Sequence, residues 1–321
     1  MKKLLTFSFV TLSACYSLKA QTFTDAVEYL NFFNQEFHTL QQYQMDYMSA
    51  AIHLEGEDVE EARAKLKTAV DNAQAKFNSV TPFAKDNGLR QNAIKTINEV
   101  KALSDADYKE AVQKKVKCTD CFEAELYENE LIKKDGKELD KAFSKMSKSI
   151  DEFAKTNEIK MLSGKDENDL IIEKFNKVSD YLRDLNLVVL QLQYANDKII
   201  NALNANDINT ASKEVKKLQT AYNEAKSRFG TIKRITEDAT CINKVSGLLN
   251  HYEQCVNKYY PQMLSAFDKK GQIINEKVDL FNKNIDKVNN VSALKLNEYQ
   301  QARVELLQRH TPRPQQKIFK S

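Results

Sequence analysis

Setting Cys15 aside, four cysteines and four histidines are the residues of this 321-residue chain best suited to chemistry. Cys118-Thr119-Asp120-Cys121 has the spacing of a dithiol redox pair. Redox pairs of that kind need a strand that delivers the first cysteine to a helix N-terminus, and no strand pattern precedes Cys118. A structural disulfide is the better reading. Haem attachment is closed, because Phe122 rather than histidine follows Cys121. Zinc would have to gather all four cysteines from distant places, since Cys241 and Cys255 lack the close spacing of a ligand pair. An even count in an oxidising compartment leads to an expectation of two disulfides, Cys118–Cys121 and Cys241–Cys255. The second carries a geometric condition. On one unbroken helix Cys241 and Cys255 would stand about 21 Å apart at 1.5 Å per residue, whereas a disulfide holds Cα atoms at roughly 4.4–6.8 Å. The pairing therefore requires a helix break near Gly247 and Asn250, where Asn250 and Glu253 form a candidate capping pair.

The histidines His38, His53, His251 and His310 are scattered, with no Glu-x-x-His for a di-iron bundle and no His-Glu-x-x-His for a zinc peptidase. Glycine-rich phosphate loops and a Gly-x-Ser-x-Gly elbow are also missing. Carboxylates alternate with lysines at the three- and four-residue spacings of solvated helix faces. No catalytic, cofactor-binding or metal-ligating set emerges, and the expectation is a protein that is not an enzyme and carries no cofactor.

Helices must position whatever function there is. Gly 7, Pro 4 and Trp 0 in 321 residues leave few turns and long uninterrupted elements, a helical composition. Read without a gap, residues 28–80 repeat in 180–232: Tyr29-Leu30 falls on Tyr181-Leu182, Leu40-Gln41 on Leu192-Gln193, Ala69 on Ala221, Ala73 on Ala225 and Phe77 on Phe229. A match of that length signals duplication. The apolar stripe Phe23, Ala26, Leu30, Phe33, Phe37, Leu40, Tyr47 and Ala51 keeps register with Phe175, Val178, Leu182, Leu185, Val189, Leu192, Ile199 and Leu203. Steps of three and four make each an amphipathic helix packed on others. Both stripes are interrupted at one matched place, by Gln44 and Asn196. The expected role of these amides is to fix register within a bundle core, each buried and hydrogen-bonded.

A second helix is expected from the capping-box form Asp58-Val59-Glu60-Glu61, with Thr210 at the matching position in the repeat. Later segments match less closely until Gly136 falls on Gly271, each expected as a turn outside a helix. The architecture expected is all-α: two tandem, duplicated up-and-down bundles of about four long helices each. The boundaries are a signal at 1–20, a first bundle at 21–156, a linker at 157–167, a second bundle at 168–310 and a flexible basic tail at 311–321. Tyr259-Tyr260-Pro261 reads as core packing in preference to an exposed anchor.

The chain opens with Lys2-Lys3, an apolar run from Leu4 toward Leu18, and then Lys19-Ala20-Gln21, the layout of a secretory signal. Cleavage after Ala20 gives a soluble product. Leu12-Ser13-Ala14-Cys15 resembles the bacterial lipobox, which would make Cys15 a lipid-bearing first residue. The soluble form is favoured, and beyond the signal no window approaches the roughly 20 apolar residues of a membrane span. With 29% charged residues of intermixed sign and a net charge of +3, the chain lacks the one-sided basic field of a nucleic-acid binder.

The signal, Tyr29-Leu30 with its helix, and the duplicated bundle pattern resemble families of uncharacterised all-helical bacterial surface and envelope proteins, known mainly among exported proteins of Gram-negative groups. The resemblance rests on pattern, not on a diagnostic motif, and implies a periplasmic or cell-surface location. Two functions are expected from different classes. The first is a non-enzymatic scaffold or interaction module that presents helix faces to another envelope component. The second is a binding protein that holds a small apolar ligand or peptide within a bundle, with a cavity at the stripe residues around Gln44 or Asn196.

Overall fold

The computed structural model describes residues 21–105, 121–161, 167–268 and 270–313. The signal, Cys15, Cys118 and most of the linker lie outside the described residues, and so does the Cys118–Cys121 pairing. The protein is all-α. Its helices are α1 (Ala26–His53), α2 (Glu57–Ser79), α3 (Leu89–Asp105), α4 (Cys121–Thr156), α5 (Glu167–Asn204), α6 (Ile208–Thr231), α7 (Cys241–Gln254) and α8 (Val278–Arg309). A single antiparallel bridge, Phe267 with Ile273, is the only β pairing among the described residues.

Local chemistry sets the helix ends. Asp25 starts α1 by accepting from the Val27 and Glu28 amides at 2.7 and 3.0 Å, satisfying donors that have no partner inside the helix. Gly56 precedes α2 with φ +59°, a backbone that side-chain-bearing residues resist. Helix α2 therefore begins at Glu57, and Asp58 lies inside its first turn instead of capping it. In α6 the cap is Asp207, which accepts both the amide and the hydroxyl of Thr210 at 2.9 and 2.7 Å. Thr210 is a donor to the cap and not the cap itself.

The matched glycines have different surroundings. Gly271 turns the chain ahead of α8 with φ +78°, whereas Gly136 sits in the interior of the unbroken α4. The helix-flanking turn expected at Gly136 is absent because Lys133 to Leu139 supply no alternative to continued helix.

The later cysteine pairing is also corrected. Helix α7 runs without interruption through Gly247 and Asn250 to Gln254, and Cys241 and Cys255 are free, buried thiols. Helical rise along those residues keeps the sulfurs far apart, and nothing breaks the helix between them. The disturbance comes later, as a π-helical turn at Cys255–Tyr259 that passes into a short helix, Tyr260–Leu264. Pro261 explains it: proline has no amide to donate to the carbonyl four residues back, and its ring crowds that carbonyl. Burial pushes both thiols up to about 12, with the Asp238 carboxylate adding to the effect at Cys241. We expect Cys241 and Cys255 to resist an aqueous thiol reagent in the native protein and to react in full in guanidinium. Rapid native labelling of either residue, read by peptide mass, would contradict their burial.

Two apolar clusters organise the helices. The N-terminal one joins Tyr29, Leu30 and Phe33 of α1 to Phe77 of α2, Leu89 and Ile97 of α3, and Phe153 of α4. Its rings meet edge-on or tilted, as at Tyr29–Phe33 (5.1 Å between centroids) and Phe33–Phe77 (5.1 Å), geometries that the ring quadrupoles favour. The C-terminal cluster is larger, running from Val178 of α5 through Leu218 of α6 and Tyr252 of α7 to Leu306 of α8. Gln41 donates to Asp169 at 2.7 Å, and Lys133 pairs with Asp184 at 2.6 Å, which links the two halves. Thr311, at the start of the expected tail, is buried, and Ser49 of α1 donates to the Pro312 carbonyl at 2.7 Å.

One hydrogen bond recurs in both halves. Tyr29 donates its hydroxyl to Asp86 at 2.6 Å, and Tyr181 donates to Asp238 at 2.6 Å, each across 57 residues. Each aspartate also starts the third helix of its half: Asp86 accepts from the Arg90 amide, and Asp238 from the amides of Thr240, Cys241 and Ile242. The ungapped alignment that pairs Tyr29 with Tyr181 also pairs Asp86 with Asp238.

Candidate functional site: an apolar cleft in the N-terminal half

Helix α1 carries its apolar stripe from the buried aromatic cluster to a partly buried stretch at its edge. Tyr29, Leu30 and Phe33 are buried, but Phe37, Leu40, Gln44 and Tyr47, further along the same face, line a cleft of about 1980 Å³. Leu66 and Val70 of α2, Val100 of α3, Phe143 and Ile150 of α4, and Phe175 of α5 form its other walls. Phe143 is 46% exposed, a large apolar side chain with little to cover it. The rim is charged with both signs, from Glu60, Arg63, Lys67 and Asp71 along α2. At one end Lys101 pairs with Asp71 at 2.6 Å, and the hydrogen bond from the ammonium holds the Asp71 carboxyl below the usual carboxylate range.

The C-terminal half treats the same positions differently. In the ungapped alignment Phe37, Leu40, Tyr47, Leu66, Val70 and Val100 fall on Val189, Leu192, Ile199, Leu218, Tyr222 and Tyr252. Five of these six counterparts are 0% exposed and the sixth, Tyr222, is 4% exposed; of the N-terminal six only Val70 is buried, and the other five are partly exposed. One stripe is packed and the other faces a cleft.

The two matched amides follow that contrast. Asn196 is buried and accepts the Tyr260 hydroxyl at 2.6 Å, whereas Gln44 is exposed at the cleft surface. The core role expected of both is met at Asn196, where Tyr260 supplies the partner, and not at the exposed Gln44; Tyr108, which the same offset places at Tyr260, lies outside the described residues. Asn196→Leu should cost about 2 kcal/mol by stranding the buried Tyr260 hydroxyl, while Gln44→Leu should change stability by less than about 0.5 kcal/mol, as surface substitutions usually do. Equal effects in urea melts would contradict the asymmetry. Loss of stability at Asn196 also reverses the expectation for a simple register amide, whose replacement by leucine stabilises.

Among the described residues the remaining titratable groups form no reactive set. His251 lies in the C-terminal core with Nε2 3.0 Å from the Ser292 hydroxyl and 3.4 Å from Cys255 Sγ. Burial holds this imidazole below its usual range, which favours the neutral ring, and burial likewise keeps the thiol beside it protonated. A neutral pair of this kind is a packing feature, unlike the ion pair that activates a nucleophilic cysteine. His38 lines the cleft, and the His53 ring lies 3.3 Å from the Thr311 carbonyl. Among the described residues no group of three or more His, Cys, Asp or Glu is placed to hold a metal ion. No described helix is long and apolar enough to cross a membrane.

Sequence patterning located the α1 stripe but did not distinguish its covered part from its open part. The Tyr–Asp pairs were missed as well, although their equal separation was a readable signal. No protein-family model matches the chain, and neither the curated proteins nor the solved structures contain a significant match to it.

Proposed function

We propose that this is an exported, non-enzymatic protein of the bacterial envelope that acts as a binding module, with the cleft lined by α1, α2, α3, α4 and the start of α5 as the site that receives its partner. The observation that carries this reading is the contrast at matched positions. Residues that are fully packed in the C-terminal half have counterparts, Phe37, Leu40, Tyr47 and Leu66 among them, that are only partly buried and line the cleft, at the place where a bundle binder was expected to hold its ligand. Exposed apolar surface of this extent is unfavourable in water at ~25 cal/mol per Å², so a site for something that covers it is its simplest use. The export component rests on the Lys2-Lys3 and Leu4–Leu18 signal layout. The C-terminal half serves as the rigid support that anchors α1 through Gln41, Ser49 and His53. Duplication of one four-helix unit, followed by opening of one copy, accounts for the shared Tyr–Asp bonds and for the unequal cores.

The size of the cleft chooses between a small ligand and a polymer. Small-molecule sites are typically about 300–1,000 Å³, and this one is about 1980 Å³. A protein or peptide segment fits better.

An apolar dye tests the reading. Anilinonaphthalene sulfonate should bind the native protein saturably and fluoresce. Leu40→Gln with Phe143→Gln should abolish the signal, and the exposed Leu294→Gln on α8 should leave it intact. Dye emission that is unchanged in the Leu40/Phe143 variant, with helicity and melting preserved, would remove the cleft as the binding site.

A further inference from the structure

We infer that the C-terminal half carries an acid switch at His251: a proton taken up there parts α8 from α7 and releases the π-turn that holds Tyr260 against Asn196. Of the four histidines His251 alone is buried, with 7% of its surface exposed. Its Nε2 lies 3.0 Å from the Ser292 hydroxyl of α8 and 3.4 Å from Cys255 Sγ. The rings of Tyr252 and Tyr259 stand 5.7 and 6.4 Å away, centroid to centroid. None of these four side chains brings a negative charge to a proton on the ring, and a buried charge without a partner is costly.

The charges nearby add to that cost. Lys295 of α8 reaches across α7, its ammonium 3.5 Å from where a Cβ on Gly247 would stand, one turn ahead of His251. Lys287, also on α8, holds its ammonium 5.4 Å from the Tyr259 ring. Glu253 lies two residues on, about 200° round the helix, and pairs with Lys226 of α6 at 3.5 Å. Asp197 of α5 acts on Tyr252 and Tyr260, and among the described residues no carboxylate acts on the imidazole. Burial is the largest influence on the ring; the Val288 carbonyl opposes it, Lys295 adds to it, and the net shift is downward. Water can reach the charged ring only if α7 and α8 separate. The place gives that movement reach, because Cys255 opens the π-turn and the turn leads into Tyr260–Leu264. Single π-turns interrupt the regular helical ladder and recur at functional sites.

With a folded pKa below the unfolded value of about 6.5, the opened chain binds the proton more readily. The closed state is fully favoured above that unfolded value and loses ground as pH falls through the folded one. One proton changes the opening constant by at most about tenfold per pH unit. The test measures hydrogen exchange in the full mature chain, peptide by peptide, from neutral pH to about pH 5, with intrinsic rates corrected. Opening from Cys241 to Leu264 should increase by up to about tenfold per unit below pH about 6.5. His251→Gln should flatten that increase, and His310→Gln, beyond the end of α8, should leave it as in the parent. Lys295→Glu should weaken it, because a carboxylate then stands where the ammonium did. The acid-opened chain should bind anilinonaphthalene sulfonate even with Leu40→Gln and Phe143→Gln in place, since the surface exposed belongs to the C-terminal core.

Proton NMR of the imidazole gives a second measurement that needs no His251 variant to fold: the native ring should titrate below the ring of the denatured chain. A parent and a His251→Gln protein that respond alike to acid overturn the inference. So does a native ring that titrates at or above the denatured value, or a Lys295→Glu protein that opens in acid as readily as the parent. None of these outcomes bears on the cleft, so this inference and the binding reading fail separately.

Discussion

Asp238→Ala should lower the unfolding free energy by about 3 kcal/mol, combining a lost helix cap with a stranded buried hydroxyl. The Asp238 carboxylate accepts from the amides of Thr240, Cys241 and Ile242 at 2.7, 2.8 and 3.0 Å and from the Tyr181 hydroxyl at 2.6 Å. Removing it therefore frays the start of α7 and leaves Tyr181, which is only 5% exposed, without its partner. Asp86→Ala should cost less, about 2 kcal/mol, because Asp86 receives fewer backbone amides. Tyr181→Phe in the Asp238→Ala background should add little, since the two side chains act through one shared bond. Urea denaturation of the single and double variants checks both statements, and an Asp238→Ala protein that melts like the parent would show that the bond is not made.

The same carboxylate makes stability depend on pH. Desolvation of Asp238 works to raise its pKa, but the hydrogen bonds from Tyr181 and the three amides outweigh it, and the net shift is downward. With a folded pKa below the unfolded value of about 3.9, the unfolded chain binds the proton more readily. Its stabilisation is fully present above that unfolded value and is lost as pH falls through the folded one. Between neutral pH and acid, the Asp238→Ala variant should therefore lose less stability than the parent. A parallel decline of the two proteins below pH about 4 would contradict the downward shift.

Leu192→Ala should cost about 3 kcal/mol, and Leu40→Ala, at the matched position of the other half, less than about 1 kcal/mol. Leu192 is 0% exposed in the C-terminal core, so truncation removes its contacts and leaves a cavity. Leu40 lies on the cleft wall, where water can enter the space that a shorter side chain leaves. The pair is a direct measure of the packing contrast on which the functional reading stands. Similar losses at both positions would mean that the N-terminal half is closed in solution. A bound partner should raise the cost of Leu40→Ala toward that of Leu192→Ala, because burial would then be complete on both stripes.

The amino-acid sequence by itself determined the helical class, the positions of the stripes and the absence of a motif for known chemistry. Few glycines and prolines, together with steps of three and four between Phe23 and Ala51, permit no other regular structure than helix. Tyr29-Leu30 and Tyr181-Leu182, which match in the sequence, are each buried in an apolar cluster. Which part of each stripe is covered could not be read there, because periodicity records which face is apolar and not what lies against it. Phe37 and Val189 are equally apolar at equivalent positions, yet Val189 is fully buried and Phe37 is only partly buried at the cleft wall.

The same distinction explains the misplaced expectations. Cys241 and Cys255 make a reasonable disulfide by count, but helix propensity from Cys241 to Gln254 is uninterrupted, and Gly247 costs only about 1 kcal/mol within a helix. The break appears at Pro261, where a backbone donor is missing and the helix widens instead of ending. Gln44 and Asn196 look alike in sequence and differ in three dimensions for one reason. A polar side chain becomes a core residue only when another element supplies its hydrogen-bond partner, and Tyr260 does so for Asn196.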